Sequence, residues 1–494
     1  MRRTLIVLVS LLAAVSLVMV LRTIRVRPAP APAAIASDFE PDEAAAASHL
    51  AEAIRFATVS HASPKGRDPA AFTGLHEWLA TTYPKTHSAL ARETIGGQSL
   101  LYTWTGRDPS LPALVLMGHM DVVPVDPGTE GEWTHPPFAG VVADGYVWGR
   151  GALDDKCTVV SVMEAVEALV GEGFAPKRTV YLAFGHDEEL GGGEGAKAIA
   201  ELLEARGMGR AALVVDEGGF ITEGLLPGVP GPVALVGIAE KGFLSLELSV
   251  RAEGGHSSRP PRETGIGIVA RAITRLEENP FPAHLDGPTE RMFEALLPRL
   301  DFSRRLTLSN LWLFRPFVLP RLVASPETAA MMRTTTAPTI FRAGVKDNVL
   351  PITVQATVNF RIRPGETRET VTRRVLEIVA DPRVDVRPAT LFSTDPSPVS
   401  DPDGPGFALV AASARAAHPE TEIVAPYLVI GGTDARYYSG RAEAVLRFLP
   451  IRVGPGELAR LHGTDERLRA ADMAAGARFF HALLRGSDSL SGGR

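Results

Sequence analysis

A single cysteine, Cys157, stands in a chain of 494 residues. This excludes an intrachain disulfide and a zinc site built from several thiolates, so a metal here needs histidine, aspartate and glutamate. Basic charge is also short: 51 lysines and arginines stand against 57 aspartates and glutamates, a net charge of −6. No surface of that balance suits nucleic-acid phosphates, and no nucleic-acid partner is expected. Internal repeats are lacking, and low-complexity sequence is confined to a short stretch near the N-terminus. Apolar residues are not scarce. They make up 45% of the chain, enough for a large core, and the length predicts two domains.

Uncharged apolar runs of membrane length are missing with one exception. "TLIVLVSLLAAVSLVMVL", Thr4 to Leu21, is about as long as a minimal bilayer span. Arg2 and Arg3 precede it, and Arg22, Arg25 and Arg27 follow. The pattern predicts an uncleaved transmembrane anchor over 1–27, with cleavage near the small residues of "APAAIAS" and secretion as the alternative. Arginines on both flanks leave the orientation unset by the positive-inside rule, so an extracytoplasmic globule rests on likeness to signal-anchors. The Pro/Ala-rich stretch within 28–41 reads as a stiff spacer.

From Asp42 onward, apolar strands alternate with amphipathic helices, which predicts an α/β domain with a mostly parallel, helix-covered sheet over 42–239. "PALVLM", "TVYLAF" and "AALVVD" each run into a polar, glycine-rich turn, delivering acids to the carboxyl end of a strand, where α/β sheets hold ligands. Near Ala239 the texture changes. "KGFLSLELSVRA", "TGIGIVARAITRLEE", "PITVQATVNFRIR", "ETRETVTRRVLEIVA" and "RVDVRPA" predict a small α+β sandwich inserted over 240–393, with an irregular stretch inside it. The α/β texture returns over 394–486, and 487–494 is expected to be a disordered tail.

The turns concentrate chemistry. His119 and Asp121 lie in "GHMD", Asp154 and Asp155 in "GRGALDDK", Asp187, Glu188 and Glu189 in "GHDEEL", Asp216 and Glu217 in "VVDEGG", and His462 in "LHGTDER". Carboxylates this dense cannot all ionise unless their pKa values rise or a cation sits among them. Two histidines and three carboxylates suffice for two metal ions if one carboxylate bridges. Oxygen and nitrogen donors without thiolate suit zinc first, with cobalt or manganese as substitutes. One of Glu188 and Glu189 is then free to act as a base toward water acidified by metal.

"GHMDVVP", "GRGALDDK", "DEELGG", "DEGG", "GGHSS", "KDNVLP", "GGTDAR" and "LHGTDER" follow in the order and rough spacing of the dinuclear zinc peptidase and aminoacylase family. The chain most resembles its carboxypeptidase S and N-fatty-acyl-amino-acid hydrolase branch. The resemblance spans Asp42 to the C-terminal helix. It implies that His119 and His462 each bind one zinc ion, that Asp154 bridges the two, that Glu189 and Asp216 are terminal ligands, that Glu188 is the base, and that Asp121 orients His119. His256 in "GGHSS" would stabilise the oxyanion from the inserted lid, while Arg436 and Asn348 would hold a substrate carboxylate. The lid is of the kind that pairs two copies, so a homodimer is a further expectation.

The implied function is a metallopeptidase or amidohydrolase that releases a C-terminal amino acid from short peptides or N-acyl amino acids. Its rivals are a short-acyl aminoacylase or dipeptidase and, more remotely, a non-catalytic metal-binding protein of the same fold. The presence of Glu188 beside a full ligand set speaks against the last. Cys157, opening an apolar helix, reads as a small buried hydrophobe. The apolar side chains of "RMFEALLPRL" and "LSNLWLFRPFVL" read as packing within the inserted domain or against the main one, in preference to a channel for an acyl chain.

Overall fold

The structure is a computed structural model that describes residues 2–490, apart from 28–34, 36, 37, 62, 64, 65 and 391. Most of the Pro/Ala spacer lies outside the described residues. The first globular helix, Glu43–Ile54, starts where Asp42 accepts hydrogen bonds from the N–H groups of Ala44 and Ala45, satisfying donors that have no partner within the helix.

The larger sheet has ten strands. In spatial order they are Ala91–Ile95, Ser99–Trp104, Val180–Gly185, Leu114–His119, Leu213–Asp216, Val445–Arg447, Val233–Glu240, Phe220–Thr222 and Arg452–Val453, with Ile423–Val429 also on Val233–Glu240. The sheet is mostly parallel, as expected, with antiparallel members; Ile423–Val429 on Val233–Glu240 and Arg452–Val453 on Phe220–Thr222 also pair in parallel. The run from Val180–Gly185 through Leu114–His119 and Leu213–Asp216 to Val445–Arg447 is parallel. Ser99–Trp104, Ala91–Ile95 and the join to Val233–Glu240 are antiparallel. A short hairpin turn joins Ala91–Ile95 to Ser99–Trp104, whereas helices Lys156–Gly171 and Ala196–Ala205 lie in the connections from Leu114–His119 to Val180–Gly185 and on to Leu213–Asp216. Helices Lys156–Gly171 and Ala470–Gly486 pack together behind this parallel centre and share its core. Their close approach requires Gly476, because a Cβ there would meet Ser161 Oγ at 2.3 Å.

The chain leaves this sheet at Lys241. Gly242–Arg251 enters a separate four-stranded antiparallel sheet, ordered Thr335–Ala343, Thr353–Ile362, Gly242–Arg251, Asp385–Pro388. The alternating burial of Thr353–Ile362 puts Val354, Ala356, Val358, Phe360 and Ile362 on one face, against helices Gly265–Glu278 and Arg368–Val379. The expected irregular stretch is not irregular. It holds helices Gly287–Leu296, Phe302–Ser309, Leu311–Leu322 and Pro326–Met332 and the edge strand Thr335–Ala343.

"RMFEALLPRL" does pack on the main domain, where Met292, Leu296 and Leu300 meet Val233, Leu235 and Ala425. In "LSNLWLFRPFVL" the packing expectation holds in part: Leu308 packs against the same cluster and Val318 is buried, but Trp312 is 53% and Phe317 65% exposed. The tail also departs from expectation as far as it is described. Ser487 and Leu490 are buried, and their carbonyls accept hydrogen bonds from the buried Arg178 guanidinium; 491–494 lie outside the described residues.

Among the described residues, one helix, Arg2–Arg25, is long and apolar enough to cross a membrane.

Candidate active site

His119 ends its strand fully buried. Its Nδ1 lies 3.0 Å from the carbonyl oxygen of Asp121 and 3.3 Å from Asp121 Oδ1, which leaves Nε2 to face the sheet's ligand edge. Asp121 has further tasks. It accepts the Ser60 hydroxyl and the backbone N–H groups of Glu188 and Glu189, so one buried carboxylate positions both the imidazole and the glutamate turn.

Asp154 occupies the middle. Its Oδ1 is 2.8 Å from His119 Nε2 and its Oδ2 is 2.9 Å from His462 Nε2. Glu189 Oε1 lies 3.3 Å from the same His462 nitrogen. The neighbouring Asp155 turns the other way, accepting the His119 N–H and the Thr158 hydroxyl, and so fixes the strand end.

Charge in this cluster is strongly perturbed. Burial pulls the His119 imidazole down, but Asp121 and Asp154 more than offset this and hold it well above its ordinary value. Hydrogen bonds that His462 donates to Asp154 and Glu189 push it up to about 10. Burial, reinforced by Asp434, raises Glu188 far above the carboxylate range, and burial with Asp154 and Asp155 does the same to Glu217. The cluster therefore carries more negative charge than it can hold unaided, and protons on the imidazoles and glutamates offset it. A divalent cation would do so better. The buried Glu189 Oε1 faces His462 Nε2 at 3.3 Å, an oxygen and a nitrogen donor placed as a shared ion would need them. The donor set thus fits divalent metal.

Of the two adjacent acids in "VVDEGG", the structure brings Glu217 to the centre. Glu217 Oε1 is 3.9 Å from His119 Nε2, and carboxylate oxygens of Glu188 and Glu217 and a His119 ring nitrogen all lie within 4.8 Å of one another. Asp216, expected as the ligand, is engaged elsewhere: its Oδ2 accepts the Ala435 N–H at 2.7 Å and it faces the buried Arg447 guanidinium.

Arg436 also departs from expectation. Its Nη2 is 3.2 Å from Glu188 Oε1 and 3.5 Å from Asp434 Oδ1, so it contacts the expected base and not an open substrate site. Asp434, buried beside it and pushed up to about 8 chiefly by burial, went unremarked in "GGTDAR". The chain admits it only because residue 192 is glycine, with φ of +65° and a would-be Cβ 1.9 Å from Asp434 Oδ1. His256 and Asn348 lie together on the exposed ribbon of Gly255–His256 and Val349–Leu350, where Asn348 O accepts the Ser257 N–H. Among the described residues, no hydrogen bond or ion pair joins either of them to the metal-site side chains. The reason is positional: both belong to the small domain, and His256 Nδ1 is 2.8 Å from Ser258 Oγ.

Sequence reasoning missed Glu466. Fully buried, it accepts the N–H groups of Gly151, Leu153 and Asp154 through Oε1 and pairs with Arg150 through Oε2 at 2.6 Å. Arg150 donates in turn to the carbonyl of His462. The pair thus ties the Asp154 turn to the His462 loop. Glu466→Ala is expected to cost about 3–5 kcal/mol, because it leaves a buried arginine unpaired. Denaturant unfolding measures this, and the double variant Arg150→Met/Glu466→Leu should lose less.

Comparison with known proteins follows the same lines. The model of peptidase family M20/M25/M40 matches residues 115–486. Probable carboxypeptidase S-like 2 of Dictyostelium discoideum is 39% identical over 90% of this chain and 85% of its own length. The N-fatty-acyl-amino acid synthase/hydrolase PM20D1 of Mus musculus is 38% identical, covering 92% and 90% respectively. In fold, the chain resembles the M20 metallo-carboxypeptidase Sso-CP2 from Sulfolobus solfataricus, with a TM-score of 0.63 at 17% identity over 90% of this chain and 99% of that one. On this evidence the chain belongs to the M20/M25/M40 family of metallopeptidases.

Proposed function

We propose that this protein is a two-zinc amidohydrolase that releases a C-terminal amino acid from short peptides or N-acyl amino acids, N-fatty-acyl ones included. The observation that carries the reading is Asp154 set between two imidazoles, one carboxylate oxygen toward each. One ion would be held by His119, Asp154 and Glu217, the other by His462, Asp154 and Glu189. Bound there, the ions would supply the Lewis acidity that acidifies water and polarises an amide carbonyl. Glu188 takes the proton from the attacking water and returns it to the leaving amine. Arg436 holds one oxygen of Glu188 and Asp121 holds its backbone, so the base is fixed before substrate arrives.

The relatives' names support the substrate classes. His256 is kept as the oxyanion donor and Asn348 as a carboxylate contact, both acting from the small domain. The homodimer belongs to the same reading, supported by the exposed apolar side chains of Ile340, Phe341, Val349 and Ile352 on that domain. Helix Arg2–Arg25 is read as a membrane anchor that leaves the globule outside the cytoplasm.

Metal analysis of the purified protein at saturation is expected to give two divalent ions per chain; one or none would overturn the two-metal assignment. A hydrolysis screen varying acyl length and C-terminal residue on zinc-loaded protein tests the activity. Turnover confined to unblocked dipeptides or short acyl groups would move the reading to a dipeptidase or short-acyl aminoacylase.

A further inference from the structure

Outside the N-terminal helix, the most exposed aromatic side chains are Phe302, Trp312 and Phe317, at 55%, 53% and 65%. All three lie on helices Phe302–Ser309 and Leu311–Leu322. Leu313, Pro316 and Pro320 are exposed beside them. Single exposed apolar residues need no explanation, but a contiguous group of this kind marks a contact surface. Its charge has one sign: across 302–326 there are four arginines, Arg304, Arg305, Arg315 and Arg321, and no acidic residue.

The location of these helices singles out what covers them. Asn310, at their junction, donates to the carbonyl of Met19 at 3.2 Å and lies 3.3 Å from Thr23 Oγ1. Met19 and Thr23 belong to the last turns of helix Arg2–Arg25, where the apolar run gives way to Arg22 and Arg25. The junction therefore sits level with the end of the apolar span. A groove of about 880 Å³ opens there between Phe293, Trp312 and Arg315 on one side and Arg22 and Arg25 on the other. At a bilayer surface this is the depth of the headgroups, where tryptophan rings and snorkelling arginines are most stable and where anionic lipids attract basic segments.

We propose that segment 302–322 lies in the plane of an anionic bilayer as a second membrane contact, holding the globule at a fixed tilt over the lipid. The proposal rests on the reading of helix Arg2–Arg25 as a membrane span. Continuity with the exit point of that helix, and a segment 302–322 that carries arginines and no acid, argue for lipid as the occupant over a second copy of the chain; Glu290 and Glu294, which also line the groove, lie on the preceding helix Gly287–Leu296.

The test uses the full-length protein reconstituted into vesicles of phosphatidylcholine and phosphatidylglycerol with brominated acyl chains, which quench nearby tryptophan fluorescence. Of the five tryptophans, Trp312 is the exposed one, while Trp104, Trp133 and Trp148 are buried and Trp78 is half-buried. Brominated vesicles are expected to quench one component of the emission, and Trp312→Phe, a change at an exposed site, should abolish that component. Protein that floats with the vesicles but shows no quenching, or equal quenching in Trp312→Phe, overturns the proposal and leaves the anchor standing. Protein that does not float overturns both. Phe317→Cys in the same vesicles should form no disulfide-linked dimer under oxidation, since the native Cys157 is buried; disulfide-linked dimers would assign the surface to a second copy instead.

Discussion

Glu188→Gln is expected to lower turnover by about 10⁴-fold or more while leaving both metal ions in place. General-base catalysis is commonly worth about 10²- to 10⁴-fold, and here one carboxylate serves twice, toward the water and toward the leaving amine. Glutamine keeps the side chain's size and its contact with Arg436 through an amide oxygen, so geometry is retained and proton transfer alone is lost. Glu189→Ala should fail differently. It removes the oxygen beside His462 and lowers affinity for at least one ion, so part of its loss should return with added zinc. Metal content and turnover measured in parallel decide the matter. A Glu188→Gln protein that turns over normally, or sheds metal as Glu189→Ala does, would reverse the two roles.

The pair in "VVDEGG" should divide just as sharply. Glu217→Ala is expected to reduce occupancy of the ion on the His119 side and to lose most activity, because it removes a carboxylate 3.9 Å from His119 Nε2. Asp216→Asn should keep its metal and lose stability instead, by about 1–3 kcal/mol, since a buried carboxylate that accepts the Ala435 N–H and faces Arg447 becomes neutral. Metal titration and denaturant unfolding of both variants provide the check. Loss of an ion in Asp216→Asn with full occupancy in Glu217→Ala would return the ligand role to Asp216.

That pair also shows where reading a sequence stops. The strands that end at His119, at Asp216 and just before Asp187 were legible because an apolar run ending in a polar, glycine-rich turn has few other interpretations. The strands and helices of the inserted domain were legible from their periods. Two adjacent acids at a strand end are another matter. Successive side chains point to opposite faces, so which of them reaches the ligand depends on where the pleat ends and how the turn departs. Asp154 and Asp155 pose the same ambiguity, and there the motif resemblance selected the residue that faces the imidazoles. Glu466 was illegible for a different reason: its partners are the backbone of residues 151–154, and nothing in a linear sequence announces a contact across more than 300 residues. The stretch after Pro280 looked irregular because its helices are short, interrupted by prolines such as Pro316 and Pro320, and apolar on faces that are not buried in the core.

The span from Asp154 to His462, 308 residues, also sets an order of events during synthesis. A chain emerging from the ribosome presents His119 and all three proposed carboxylate ligands, Asp154, Glu189 and Glu217, early, but the second imidazole and Glu466 arrive only after the whole inserted domain has been made. Contacts of such separation form late, after nearer elements have collapsed. The nascent protein therefore passes much of its elongation with a half-built, strongly anionic centre, and on the two-ion reading the second ion could be held only once His462 has joined Asp154. On the proposed function, hydrolytic capacity would be withheld from the immature chain until this late contact forms.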